Sequence, residues 1–264
     1  MTIEFYSNDR GAIIEQIRNG TYTGPTSGLA RGYAQANLVV LRKEYAYDFL
    51  LFCQRNQVAC PLLDVTDIGS VVSRKMGADA DLRTDLPRYR VYRNGEFTEE
   101  CTDILSLWEE EMVCFLIGCS FTFEEALLAN GIPIRHQEED VNVPMYETSI
   151  PCEPAGRFHG NVVVSMRPMP EEQAIRASLV TSRFPAVHGA AIHIGNPTKI
   201  GINKIGQPDF GDPVTIKEGE VPVFWACGVT PQAAAMASKP DLMITHAPGH
   251  MFITTMKNEQ LGVL

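Results

Sequence analysis

Apolar residues recur along this chain in two rhythms, one helical and one of short unbroken runs. In residues 9–18 they fall three and four apart, and Asn19-Gly20 follows as a stop, so a first helix is expected there. Residues 38–41 read as a strand, and 43–56 as a helix with Tyr45, Phe49 and Phe52 on one face. Residues 61–65 form a second short strand. Residues 88–93 and 96–98 flank Asn94-Gly95, a strong hairpin signal. The run 112–117 has the character of a buried strand and leads into Gly118-Cys-Ser-Phe-Thr-Phe-Glu-Glu125. Thr122 and Glu125 have the spacing of a capping box, which starts a helix at Phe123 and ends it near Gly131.

The second half changes style. Strands are expected over 145–150 and 161–166, a helix over 170–182, and a third strand over 190–194. Glu171 and Glu172 in the first turn of that helix and Arg183 at its end suit the helix dipole. Proline and glycine crowd both flanks, 132–144 and 195–213. The apolar run 221–227 then stops at Gly228-Val-Thr-Pro231, where Thr230 can cap a helix and Pro231 fits its first turn. A helix of small residues, 232–238, and a strand, 241–245, lead to His246-Ala-Pro-Gly-His250. This reads as a βαβ unit, although Pro222 suits only the start or edge of a strand. The expected fold class is therefore α/β. Residues 1–117 and 206–264 form a mainly parallel sheet domain with helices on both faces, and residues 118–205 form a smaller inserted α+β domain.

Composition narrows the function. The length of 264 residues suffices for one large domain or two modest ones, and 45% hydrophobic with 20% charged residues is ordinary for a globular chain. A formal charge of −10 argues against a nucleic-acid partner, which needs a basic face. The arginines at 83, 88, 90 and 93 alternate with Tyr89, Val91 and Tyr92, as on a solvated strand face. Seven cysteines, an odd number with no Cys-x-x-Cys spacing, suit free thiols in a reducing cytoplasm. The opening Met1-Thr-Ile-Glu-Phe5 lacks the regions of a signal peptide, and no apolar run approaches the ~20 residues of a membrane helix. A cytoplasmic protein with no membrane partner is expected, and a homo-oligomer stays open. Without a Gly-x-Gly-x-x-Gly run or a P-loop, no nucleotide cofactor is indicated.

Several longer motifs carry a resemblance. Gln35-Ala-Asn-Leu38, Asp48-Phe-Leu-Leu-Phe-Cys-Gln-Arg-Asn56, Thr84-Asp-Leu-Pro-Arg-Tyr-Arg90, Gly118-Cys-Ser-Phe121, Trp225-Ala-Cys-Gly-Val-Thr-Pro-Gln232 and Thr245-His-Ala-Pro-Gly-His-Met251 resemble those of the D-glutamate cyclase family. Many members of that family are labelled only as hydro-lyases without established substrates. The resemblance implies a two-domain α/β fold and, for some members, conversion of D-glutamate to 5-oxo-D-proline with loss of water. The chain departs from the family pattern at Arg31 and Arg42, where proline is expected, and at Thr255, where aspartate is expected.

Cyclising glutamate requires a base for the α-ammonium, donors for the carboxyl oxygens, and a holder for the second carboxylate. His246 and His250, at a ligand-facing strand end, are candidate bases; the alternative is a pair of loop histidines bonded to backbone. Pro248-Gly249 between them forbids the helix that would make their spacing a metal motif. His188 and His193 fall on opposite faces of a continuous strand, so His188 joins a site only if it precedes the strand. Cys119, before a helix N-terminus, is a candidate nucleophile or a buried thiol. Ser120, Thr122 and Thr230 are donors to a substrate anion or plain caps, with Glu124 at the same turn as Ser120. Arg157, on a hairpin tip, is a carboxylate clamp or a solvated loop arginine, and Asn37 an amide donor or turn former. No metal ligand set is assigned, and a divalent metal, Mn²⁺ or Mg²⁺, remains compatible. The expected function is a hydro-lyase for a small acidic molecule. Amide hydrolysis through Cys119 and amino-acid binding without catalysis are the alternatives.

Overall fold

A computed structural model describes residues 9–263, so Met1-Thr-Ile-Glu-Phe5 lies outside the described residues. Asp9 caps helix α1 (Arg10–Arg18) by accepting from the amides of Gly11 and Ala12, and Ile13, Ile14 and Ile17 form its buried face. Strand β1 (Tyr33–Arg42) runs straight into α2 (Lys43–Arg55), and β2 (Leu62–Val65) follows. The hairpin β3 (Tyr89–Arg93) and β4 (Glu96–Cys101) turns at Asn94 and Gly95, both with positive φ as the sequence signal demands. Next come β5 (Met112–Gly118), α3 (Phe121–Ala129) and the short α4 (Arg135–Glu138). The chain continues through β6 (Met145–Pro151), β7 (Asn161–Pro170), α5 (Glu171–Thr181) and β8 (His193–Ile194). It closes with β9 (Glu220–Ala226), α6 (Thr230–Ser238), β10 (Met243–His246) and β11 (Phe252–Lys257).

These strands form two sheets. The larger has the order β2-β5-β1-β10-β3-β4, with β11 also on β1; the smaller has the order β6-β7-β9-β8. Every ladder in both is antiparallel, which overturns the expected mainly parallel α/β domain. The expected strand-helix-strand order is present, but it does not dictate neighbours. The β1-α2-β2 crossover leaves a gap of one strand, and β5 fills it, antiparallel to both. The expected βαβ unit fails more completely. Its first strand, β9, lies in the small sheet and its second, β10, in the large one, with α6 packed on β7 between them. Pro222 is accommodated because its side of β9 faces β8, which pairs only with Val223 and Phe224.

Nor do helices cover both faces of the large sheet. Val39 and Leu41 of β1 pack with α2 and α6 through Phe49, Phe52, Ala234 and Ala235. The alternate residues, Leu38 and Val40, pack on irregular chain carrying Met76, Ala80, Leu82 and Leu86. Burial on both faces explains why β1 and β5 read as unbroken apolar runs, a pattern that parallel sheets share. Around the small sheet, α3 and α5 cover one face through Phe123, Leu127, Ala174 and Ala177, against Trp225 and Met169. Among the described residues, no helix is long and apolar enough to cross a membrane.

Candidate functional site

Where α3 leaves the large sheet and meets β7 of the small one, charge is buried. Arg167 of β7 is wholly inaccessible to solvent, between the rings of Phe123 and Trp225 at 5.4 and 5.5 Å. Alternation along β7 turns it toward α3, and its guanidinium is satisfied there. Nε donates to Glu124 Oε1 at 3.1 Å, Nη1 to Ser165 Oγ at 3.0 Å and Nη2 to Ser120 Oγ at 3.2 Å. A further close contact joins Nη2 to the same carboxylate oxygen. His136 Nε2, from α4, lies 3.3 Å from Glu124 Oε1, and its ring stacks on Phe121. The other carboxylate oxygen accepts from Gln137 Nε2 at 2.8 Å and Ser27 Oγ at 3.3 Å.

Burial alone would raise the Glu124 carboxyl, but the charge His136 carries when protonated, the charge of Arg167 and the hydrogen bonds from Arg167 outweigh it. The carboxyl is held at about 2, an anion at any physiological pH. This ion cluster is not sealed off. Glu124 and Gln137 line a cavity of about 200 Å³ together with Phe121, Gln35 and Arg31. His136 and Gln137 line a larger cleft of about 510 Å³ with Ser27, Tyr22, Asp140 and Asn142. Gly28, Leu29 and Arg31 border both, so the segment between α1 and β1 forms a common wall. Cleft and cluster together offer a fixed anion, an imidazole beside it, and hydroxyl, amide and guanidinium donors around a space of small-molecule size.

Of the residues singled out in the sequence, Glu124 and Ser120 belong to this cluster. Thr122, expected as a cap or donor, instead braces α3 to β1 by accepting from the Gln35 amide at 3.1 Å; α3 begins at Phe121 without a side-chain cap. Asn37 donates to the carbonyls of Gly118 and Ile117 at 2.6 and 3.2 Å. Gly228 presses so close that a Cβ there would lie 1.9 Å from Asn37 Nδ2. Thr230 lies inside α6, donates to the Cys227 carbonyl at 2.7 Å and accepts from the Val163 amide at 3.1 Å. Thus the turns at Gly118, Gly228 and His246 do converge, but on packed side chains: Cys119, Cys227, Val229 and Met251 share one apolar cluster.

The titratable candidates around those turns are correspondingly quiet. Burial pushes the Cys119 thiol far up, and its sulfur lies 3.2 Å from that of Met251. Burial lowers His246 to about 3, and its Nδ1 accepts from the Leu38 amide at 3.3 Å. His188, lowered by burial to about 4, holds the Val58 carbonyl at 2.8 Å. His250 is lowered too, again by burial, and its Nδ1 sits 2.9 Å from the Pro248 carbonyl. Arg157 is exposed, lies over the Tyr45 ring at 4.5 Å and approaches Asp48 on α2. Among the described residues, no group of three or more His, Cys, Asp or Glu is arranged to hold a metal ion.

Arg167, His136, Gln137 and Ser27 were not singled out. Arg167 carried a signal, since an arginine continuing the apolar run Val162-Val-Val-Ser-Met166 needs a buried partner. His136 had none, because it sits in the short polar helix α4 and only the fold brings it to Glu124.

Comparison with known proteins agrees with the motifs. Three bacterial proteins that each bear the name "Putative hydro-lyase" align over nearly the whole chain. The protein of Bacillus licheniformis is 68% identical over 94% of this chain and 95% of its own length. That of Bacillus subtilis, YcsI, is 64% identical over 94% and 96%, and that of Stutzerimonas stutzeri 63% identical over 96% of each. A crystal structure of the nitrogen repressor-like protein MJ0159 from Methanococcus jannaschii covers 87% of this chain and 90% of its own, at 11% identity. Its TM-score of 0.38 is too low to bear on the fold. The family profile described as D-glutamate cyclase matches residues 113–255, which hold Glu124, His136 and Arg167, and the chain belongs to that family.

Proposed function

We propose that this chain is a hydro-lyase that cyclises D-glutamate to 5-oxo-D-proline with release of water, in the cleft beside Glu124 and His136. The observation that carries the site is the ionised Glu124, buried between Arg167 and His136 yet bordering a cavity. A buried ion cluster is a poor device for stability alone, because well-packed apolar residues of equal volume do as well or better. Perturbed, desolvated charges in a cleft are the usual mark of chemistry. The substrate follows from the family description and from the chemistry the cleft can perform.

The reaction needs no net proton source. The α-ammonium gives up two protons, its nitrogen bonds to the side-chain carboxyl carbon, and one carboxyl oxygen departs with two protons as water. A single group that takes protons and returns them is enough. His136 fills this role: as a neutral ring it takes the proton, and Glu124 Oε1, 3.3 Å from its Nε2, stabilises the imidazolium that forms. Arg167, bonded to the same carboxylate, fixes its position. Ser27, Gln137 and Arg31 face the same space and supply donors for substrate oxygens. His246 is a weaker choice, since an imidazole held at about 3 barely accepts a proton at neutral pH.

The test is product analysis after incubation with D-glutamate, with L-glutamate as control, for the native chain and for His136→Asn. The native chain should yield 5-oxoproline from the D isomer, and His136→Asn should lose roughly 10²- to 10⁴-fold in kcat, the usual contribution of a general base. Unchanged turnover in both His136→Asn and Glu124→Gln would remove the site.

A further inference from the structure

An amino acid carries a cation as well as its carboxylates, and a cleft that takes one needs an anion in reach of the ammonium. Glu124 does not serve, because both of its oxygens are already engaged by Arg167, Gln137 and Ser27. The neighbouring acids are occupied too, with one exception. Glu138 pairs with Arg135, Glu139 accepts from the Thr215 amide at 3.2 Å, and Asp212 accepts from the Asn142 amide at 3.0 Å. Asp140 lines the same cleft as His136, and among the described residues its exposed carboxylate has no hydrogen bond or ion pair. On the reading of this cleft as the cyclase site, we infer that Asp140 is the subsite for the substrate α-ammonium, so that the cleft selects α-amino diacids over diacids without an amine.

The backbone holds Asp140 there at a cost. Helix α4 ends in a turn closed by the Val141 amide, which donates to the His136 carbonyl at 3.0 Å. That turn puts Asp140 at the left-handed position after the helix, with φ +52°, where glycine is the usual residue. Glycine would relax the backbone, yet a carboxylate stands four positions from the proposed base and on the same turn. Its charge is felt in the cleft. Burial and then the charge of Asp140 raise the Tyr22 hydroxyl to about 12, on the wall formed by the segment between α1 and β1. That hydroxyl donates to the Pro25 carbonyl and so leaves the Asp140 carboxylate open. An ammonium held by Asp140 is presented to the imidazole at the start of the same turn, and the substrate carboxylates fall to the donors at Ser27 and Gln137.

Calorimetric titration of the full chain with D-glutamate and with glutarate, which keeps both carboxylates but lacks the amine, tests this subsite. The native chain should bind D-glutamate roughly tenfold or more tightly than glutarate, the size of one charge-assisted contact. Asp140→Asn and Asp140→Gly should each remove that preference by weakening D-glutamate alone. Both should raise the KM for cyclisation roughly tenfold and lower kcat by no more than a few-fold. Asparagine and glycine accept the left-handed turn, so neither variant should melt lower than the native chain. A preference that survives both substitutions overturns the subsite, as does a native chain that binds the two diacids equally. The two readings fail separately. A chain that binds D-glutamate through Asp140 but forms no 5-oxoproline loses the cyclase and keeps the subsite. A cyclase whose KM ignores both substitutions keeps its reaction and loses Asp140.

Discussion

Glu124→Gln is the most telling substitution, because shape is nearly kept while the charge facing Arg167 and His136 is removed and one acceptor oxygen becomes a donor. The Glu124 carboxyl sits at about 2 against an ordinary 4.5. That gap of about 2.5 units corresponds to roughly 3 kcal/mol of folding stability at 1.36 kcal/mol per unit. A second route reaches the same size, since removing one member of a buried ion pair costs about 3–5 kcal/mol. Because the folded value lies below the unfolded one, the contribution is present above about pH 4.5 and is lost as pH falls through about 2. Urea unfolding of the native chain and of Glu124→Gln across this range measures it. At neutral pH the variant should be less stable by about 3 kcal/mol, with a melting temperature lower by roughly 6–12 °C. The difference should close as the native chain is acidified below about pH 4.5. A loss under about 1 kcal/mol at neutral pH, or a difference that does not vary with pH, would show that the carboxylate is not held as an anion by its neighbours.

Three further outcomes follow from the same structure. Gly228→Ala should be among the most damaging small changes in the chain, by several kcal/mol or about 10 °C in a thermal melt, because its Cβ would lie 1.9 Å from Asn37 Nδ2; an unshifted melt would contradict the close approach. Cys119→Ser should keep turnover within a few-fold, and the native thiol should react with iodoacetamide far more slowly than a free thiol, since burial raises it. Loss of activity together with substrate-protected labelling would instead restore covalent catalysis through sulfur. His188, held at about 4 against 6.5 when unfolded, contributes stability above about pH 6.5 that fades as pH falls through about 4. His188→Gln should therefore flatten the acid limb of a urea-midpoint profile, by roughly 3 kcal/mol over that window, and an unaltered profile would count against the buried neutral imidazole.

Much of the local structure was legible because its causes are local. The Asn94-Gly95 turn, the first helix with its Asn19-Gly20 stop, the Phe49 and Phe52 face of α2 and the apolar runs of β5 and β9 each depend on residues within a few positions of one another. The strand at 190–194 shrank to His193–Ile194, and β11 was not foreseen, because short edge pairings depend on what lies beside them. At the site, Glu124 and Ser120 could be singled out from their place at the Gly118 turn. His136 could not, since nothing near it in the chain points to a carboxylate twelve positions away.

The amino-acid sequence alone determined where most of the strands and helices form, and its long motifs placed the chain in its family. Strand direction and partnership were decided only by the tertiary fold. An apolar run buried on both faces looks the same beside a parallel or an antiparallel neighbour, and a crossover helix leaves open which strand enters the gap it spans. The same holds for chemistry. The Gly118, Gly228 and His246 turns meet as their polar residues suggested, but packing filled the space between them with thiol, thioether and valine side chains. The charge that borders a cavity lies one helical turn further on, at Glu124, where β7 carries the buried Arg167 across from the small sheet.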